Sequence, residues 1–171
     1  MLISTKINDA INQQIGNEFG ASLQYVAIAV YFDERALPQL AAHFYQQAAE
    51  EREHAMRFVK FLVDTDGEVR IPAVAAPKAK FGNAEEAVKM SLDWELEVTE
   101  RINKLVALAK GEHNYTTDTF LQWFVAEQLE EVSSMDNLLK VIRMAGEAGL
   151  LRVEEWLARR GGKVGAPGTM A

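Results

Sequence analysis

The segment from Pro38 to Asp64 combines a helical apolar stripe with residues that do not belong in one. Leu40, Phe44, Gln47, Glu51, His54, Phe58 and Phe61 recur at steps of three and four, the spacing that lines one face of an α-helix. A carboxylate and an imidazole, one turn apart, therefore stand among aromatic and aliphatic side chains. Burying them unpaired would be costly, so a chain that folds this way must compensate them. A metal ion is one candidate.

Three other segments repeat the pattern. From Thr5 to about Glu34 the stripe is Ile7, Ile11, Ile15, Ser22, Tyr25, Ala29 and Phe32, with Glu18 set inside it. Asn83 suits an N-cap, with Glu85 and Glu86 in the first turn, and the helix it opens runs to about Lys110-Gly111. Its stripe is Val88, Ser91, Glu95, Val98, Ile102, Leu105 and Ala109. After a turn at Gly111 to Thr116, a fourth helix to about Ala145 presents Leu121, Phe124, Gln128, Glu131, Met135, Leu138 and Ile142. A short fifth helix over about Leu150 to Arg159 shows Leu150, Val153, Trp156 and Leu157 on one side. It is too short to be stable alone, and an exposed Trp156–Leu157 face would need cover in an assembly.

Between the second and third helices, residues 67 to 83 hold Gly67, Pro72, Pro77 and Gly82 and lack helical periodicity. This is long for a loop, where about 4–6 residues is usual, and a crossover along the length of a bundle explains it. The expected fold is all-α: a four-helix bundle with a long crossover between helices 2 and 3 and a short C-terminal helix. One domain over residues 1–160 and a disordered Gly- and Pro-rich tail over 161–171 are expected.

Glu18, Glu51, Glu95 and Glu131 each fall near the middle of a helix of similar length, hence in one layer of the bundle. Such carboxylates cannot all stay ionised without counter-charge. Either most are protonated or cations hold them. Two divalent ions would neutralise four carboxylates, with His54 as a nitrogen ligand; an oxygen-rich set with a single imidazole suits iron or manganese and can take zinc. Glu50, Glu53, Glu127 and Glu130 can each be read as solvent-facing charge, and His43 and His113 read as surface.

Composition narrows the classes. The 171 residues carry a net charge of −7, which disfavours nucleic acid as a partner. No cysteine is present, so disulfides, thiolate metal sites and iron–sulfur clusters are excluded. No apolar run approaches the roughly 18 residues of a membrane span. The start of the chain lacks a signal-peptide layout, and a cytoplasmic location is expected.

Across about residues 5–160 the chain resembles the non-haem bacterial ferritins. The resemblance rests on Asn17-Glu18-Phe19 with Gln24-Tyr25, on Glu50-Glu51-Arg52-Glu53-His54-Ala55, on Trp94-Glu95, and on the run from Trp123 to Glu131. It implies a ferroxidase centre in which Glu18, Glu51 and His54 hold one iron. Glu51 bridges to a second iron at Glu95, with Gln128 close by and Tyr25 beside the centre. It implies a third iron at Glu50, Glu127, Glu130 and Glu131. It further implies oxidation of Fe(II) by O2 or peroxide and storage as ferric mineral in a homo-oligomeric shell of twenty-four subunits, with the fifth helix around the four-fold axes. Bacterioferritin and rubrerythrin carry a second Glu-x-x-His on the fourth helix, whereas here Glu130 follows Glu127. Arg52 stands where bacterioferritin has its haem-ligating methionine, so haem is not expected. A di-iron or di-manganese enzyme acting on a small substrate, and a purely structural bundle, are the alternative classes.

Overall fold

The computed structural model describes residues 2–161. Its elements are α1 (Thr5–Asp33), α2 (Pro38–Asp64), α3 (Ala84–Gly111), α4 (Tyr115–Ala145), a 3-10 turn (Glu147–Gly149) and α5 (Leu150–Arg159). The residues expected to form a tail lie, apart from Gly161, outside the described residues. Among those described there is no strand, and no helix is long and apolar enough to cross a membrane.

The four long helices form the expected bundle: α1 packs on α2, α3 on α4, and α1 on α3. Aromatic pairs join α2 to α4, with Phe58 stacked on Phe124 and Phe61 on Phe120, each at 4.1 Å between ring centroids. The core is in two parts. Tyr25, Phe32, Phe44, Val88 and Leu138 belong to one, at the α5 end; Ile7, Ile15, Phe58, Ile102 and Phe124 belong to the other. On every long helix the mid-length polar residues fall between the two clusters. The bundle is thus two oily halves joined through a polar layer.

Helix starts follow ordinary capping chemistry in three cases. The side chains of Ser4, Asn83 and Asn114 accept from the backbone N–H groups of Ile7 (3.1 Å), Glu86 (2.8 Å) and Thr117 (3.0 Å). α2 is different. Leu37 sits at its N-cap and has no side chain to offer, although Pro38 suits the first turn. The missing cap comes from α5: the Glu154 carboxylate accepts from the N–H groups of Gln39 (2.8 Å) and Leu40 (2.9 Å). Glu147 likewise accepts from Ala84 N–H at the start of α3 (2.6 Å). These contacts fasten the C-terminal segment to the starts of two other helices.

That fastening corrects one expectation. Leu157 is buried within its own chain, as are Leu150 and Val153, and Trp156 is half-buried beneath Arg160 at 4.7 Å. The apolar side chains left exposed here are Met144 and Leu151. His43 is a second correction: it is buried, edge-on to Phe44 at 5.1 Å. Around it Leu40, Ala41, Phe44 and Gln47 are buried too, because α2 is enclosed by both α1 and α5 at this end, which widens its inward face. His113 is exposed, as expected.

The crossover runs along α1 and is held by amide side chains. Asn8 accepts from Glu68 N–H (2.9 Å), and Asn12 donates to Glu68 C=O (2.8 Å) and accepts from Arg70 N–H (2.6 Å). Farther along, Gln24 exchanges both hydrogen bonds with the Lys78 backbone at 2.9 Å. Between these clamps Pro72 lies so close to Gly16 that a Cβ there would collide with the proline ring.

Replacing Glu154 by alanine should leave two N–H groups of α2 without their acceptor. The expected cost is about 1–2 kcal/mol, or about 2–8 °C in melting temperature. Thermal unfolding checks this, and an unchanged Tm would show that α5 does not secure α2.

Candidate metal centre

Each long helix delivers its mid-length carboxylate inward. Glu18, Glu51 and Glu95 are each 1% exposed, Glu131 is 5% and His54 is 4%. Glu18, Glu51 and His54 form one group whose ligand atoms all lie within 4.8 Å of one another. His54, Glu127 and Glu131 form a second such group. The imidazole therefore stands between two clusters, with Nδ1 3.3 Å from Glu51 Oε2 and Nε2 4.0 Å from Glu127 Oε1. Trp123 and Phe124 meet its ring edge-on at 5.4 and 6.0 Å and confine it.

Glu95 lies on the α3 side, outside both groups. Its carboxylate accepts from the Tyr25 hydroxyl and, at 3.1 Å, from Gln128 Nε2. Gln128 also donates to Glu95 C=O and to Thr99 Oγ1, each at 3.2 Å. Tyr25 is thus fully buried with its hydroxyl committed to a candidate ligand, which goes beyond core packing. Glu50 and Glu130 also lie outside the two groups. Glu50 is half-buried and accepts from Gln46 (2.9 Å) and Gln47 (2.6 Å), while Glu130 is exposed. Both still press their charge on Glu127 and Glu131.

Two contributors escape the apolar-stripe reading. Gln14 donates to Glu18 Oε1 at 2.8 Å and is itself buried; Thr99 takes a hydrogen bond from Gln128. Each sits one helical turn from a glutamate, four residues away, so i, i+4 spacing was the available signal.

Electrostatics decide the state of the metal-free site. Burial pushes the Glu18 carboxyl up to about 7, against the pull of the hydrogen bond from Gln14. Burial, then the charges of Glu95, Glu18 and Glu131, holds Glu51 well above the ordinary carboxylate range. Glu131 is pushed up to about 9 by burial and by its acidic neighbours. Glu95 is raised by burial, although Tyr25 and Gln128 work the other way. His54 is lowered to about 4, by burial first and by Arg57 second, so its nitrogens are free to ligate at neutral pH. Glu18 Oε2 is buried with no hydrogen-bond partner. A hard cation suits this set: it would take the orphaned oxygen, displace protons from the carboxyls and find a neutral imidazole beside them.

The match to the Ferritin-like domain family model spans residues 8–145, most of the chain. The chain belongs to the ferritin family. It is 47% identical over 155 residues to ferritin BfrB of Mycobacterium tuberculosis, covering 91% of this chain and 85% of that protein. It is 34% identical over 146 residues to the bacterial non-heme ferritin of Staphylococcus aureus, covering 85% and 88%. Among solved structures, an open-pore ferritin from the archaeon Archaeoglobus fulgidus superposes with a TM-score of 0.88 at 34% identity, covering 92% of this chain and 97% of that one. The bundle, the crossover and the fifth helix expected from the residues are thus those of this ferritin's family.

The raised carboxyls have a thermodynamic consequence. Above pH 4.5 an unfolded chain ionises Glu18 and Glu131 while the folded, metal-free protein keeps them protonated, so stability falls as pH rises towards about 7 and about 9. His54 works oppositely, but only between about 4 and 6.5 and through one proton. A bound cation removes this penalty by replacing the protons. Zn²⁺, which has no redox chemistry, should therefore bind at pH 7 with release of about one to two protons per ion. Calorimetry in buffers of different ionisation enthalpy measures this, and binding without proton release would contradict the protonated site.

Proposed function

We propose that this ferritin stores iron, oxidising Fe²⁺ to Fe³⁺ within the bundle and collecting the product as ferric mineral inside a shell of like subunits. The observation that carries the reading is the buried Glu18–Glu51–His54 group, with one carboxylate oxygen unpartnered and the imidazole neutral. Fe²⁺ is the substrate. Glu18, Glu51 and His54 hold one ion, and Glu51 reaches towards a second, which Glu95 receives with Gln128 close by. Glu95 must turn part of its carboxylate away from Tyr25 and Gln128 to do so. That hydroxyl and amide, already in place, then orient it.

Oxidation follows from charge. Carboxylates clustered away from water stabilise a trivalent ion more than a divalent one, which lowers the cost of removing an electron. Each ferrous ion gives one electron, and O2 or peroxide accepts the pair. Glu50, Glu127, Glu130 and Glu131 form an acidic path beside the centre and the third iron position, where His54 Nε2 already faces Glu127. Arg52, exposed on α2, offers no ligand for haem. The shell is read as twenty-four subunits, with α5 around the four-fold axes and Leu151 and Met144 supplying exposed apolar surface at that end. A cytoplasmic location belongs to the same reading.

Replacing Glu51 or His54 by alanine should slow aerobic Fe²⁺ oxidation by about tenfold or more, since even outer partners of metal ligands are typically worth 10–100-fold. Stopped-flow absorbance reads the rate, and unchanged oxidation in both variants would remove the site assignment. Loading the unmodified protein aerobically with excess Fe²⁺, followed by electron microscopy, separates storage from the alternatives. Hollow particles with dense cores are expected. Uptake that stops at about two irons per chain would instead mark a di-iron enzyme, and no uptake a structural bundle.

A further inference from the structure

The two sides of the centre differ in chemistry. On the α2–α4 side, Glu50, Glu127 and Glu130 make an acidic approach suited to a cation. On the α3–α4 side lies a groove of about 300 Å³ with no charged residue in its lining. Leu96, Ile102, Val125, Leu129 and Val132 make most of its wall, with Asn103 the one polar residue away from its inner end. Its inner end is Gln128 with Thr99, and Gln128 Nε2 is 3.1 Å from Glu95 Oε2. One buried amide side chain therefore separates an apolar groove from a candidate iron ligand. Three other cavities on the bundle surface all carry charged side chains in their linings.

We propose that the α3–α4 groove admits O2 to the centre, with Gln128 as the gate at its inner end. This rests on the ferroxidase reading. A hydrated Fe²⁺ would lose part of its water shell against these mostly apolar walls with no carboxylate or imidazole to replace it, so the groove disfavours the metal. A small neutral gas pays no such penalty and partitions into apolar space. Adjacent residues of α4 divide the labour: Glu127 turns towards His54 and the acidic side, Gln128 towards Glu95 and the groove. Cation and oxidant thereby reach the same pair of sites from different sides, without competing for one path.

The test has two arms. Val125→Trp fills the groove from its half-exposed wall without touching a ligand. In this variant the O2 concentration giving half-maximal Fe²⁺ oxidation should rise about threefold or more. Anaerobic Fe²⁺ binding and the rate at saturating O2 should match the unmodified protein. An unchanged O2 dependence in the assembled variant overturns the proposal. The second arm needs no variant: crystals of the unmodified protein under xenon pressure should show xenon in the groove beside Gln128. A groove without xenon, or one filled by a neighbouring subunit, overturns it. If the unmodified protein oxidises no Fe²⁺, the ferroxidase reading fails separately, and xenon still decides whether the groove takes a neutral gas.

Discussion

Four carboxyl groups share the interior of a helical bundle with one neutral imidazole and no buried lysine or arginine among them, and the rest of the fold accommodates that. An apolar core would exclude Glu18, Glu51, Glu95 and Glu131. This one divides instead into two hydrophobic clusters, leaving a polar layer between them. The layer is tolerable without metal only because protons replace charge, as the raised carboxyls of Glu51 and Glu131 indicate. Stability and function are therefore opposed in the metal-free protein: the groups that strain the fold at neutral pH are the ones that favour a cation. The long helices follow from the same constraint, since each must supply a buried apolar stretch on both sides of its polar residue.

Helices, the Asn83 cap and the polar layer were legible in the residues because they are periodic and local. Pro38 at the start of α2, Asn83 before α3 and the four mid-helix glutamates need only spacing to be found. What escaped depends on chain segments far apart in sequence. Nothing near Leu37 reveals that Glu154, from the other end of the chain, caps α2. Nothing in Asn8, Asn12 and Gln24 shows that they clamp the crossover. His43 was misplaced for the same reason: one helix read alone cannot show that two neighbours enclose it. The fifth helix was correctly bounded, but its apolar face was assigned to an assembly when its own chain covers it. Within the site, the stripe located the carboxylates but not the direction each takes. Hence the pairing of Glu95 with Tyr25 and Gln128, and the position of His54 between two acidic groups, required the geometry.

A single histidine makes the centre asymmetric. The α2 side is rich in ionisable groups, while the α3 side ends in an amide, a hydroxyl and an apolar groove. On the proposed reading, that asymmetry would separate the handling of a charged substrate from that of a neutral one within one layer of one bundle. Residues that are not themselves candidate ligands matter too. Gln14 holds Glu18, Tyr25 holds Glu95, and Trp123 confines His54, so the donors are oriented before any ion arrives.

On the proposed reading, the buried polar layer, and not the acidic surface, is where iron first binds. Diffraction at the iron absorption edge, on crystals soaked anaerobically with Fe²⁺, addresses it directly. Anomalous peaks are expected among Glu18, Glu51 and His54 and between Glu51 and Glu95. Iron confined to exposed carboxylates, with the layer between the two hydrophobic clusters free of anomalous density, would contradict it.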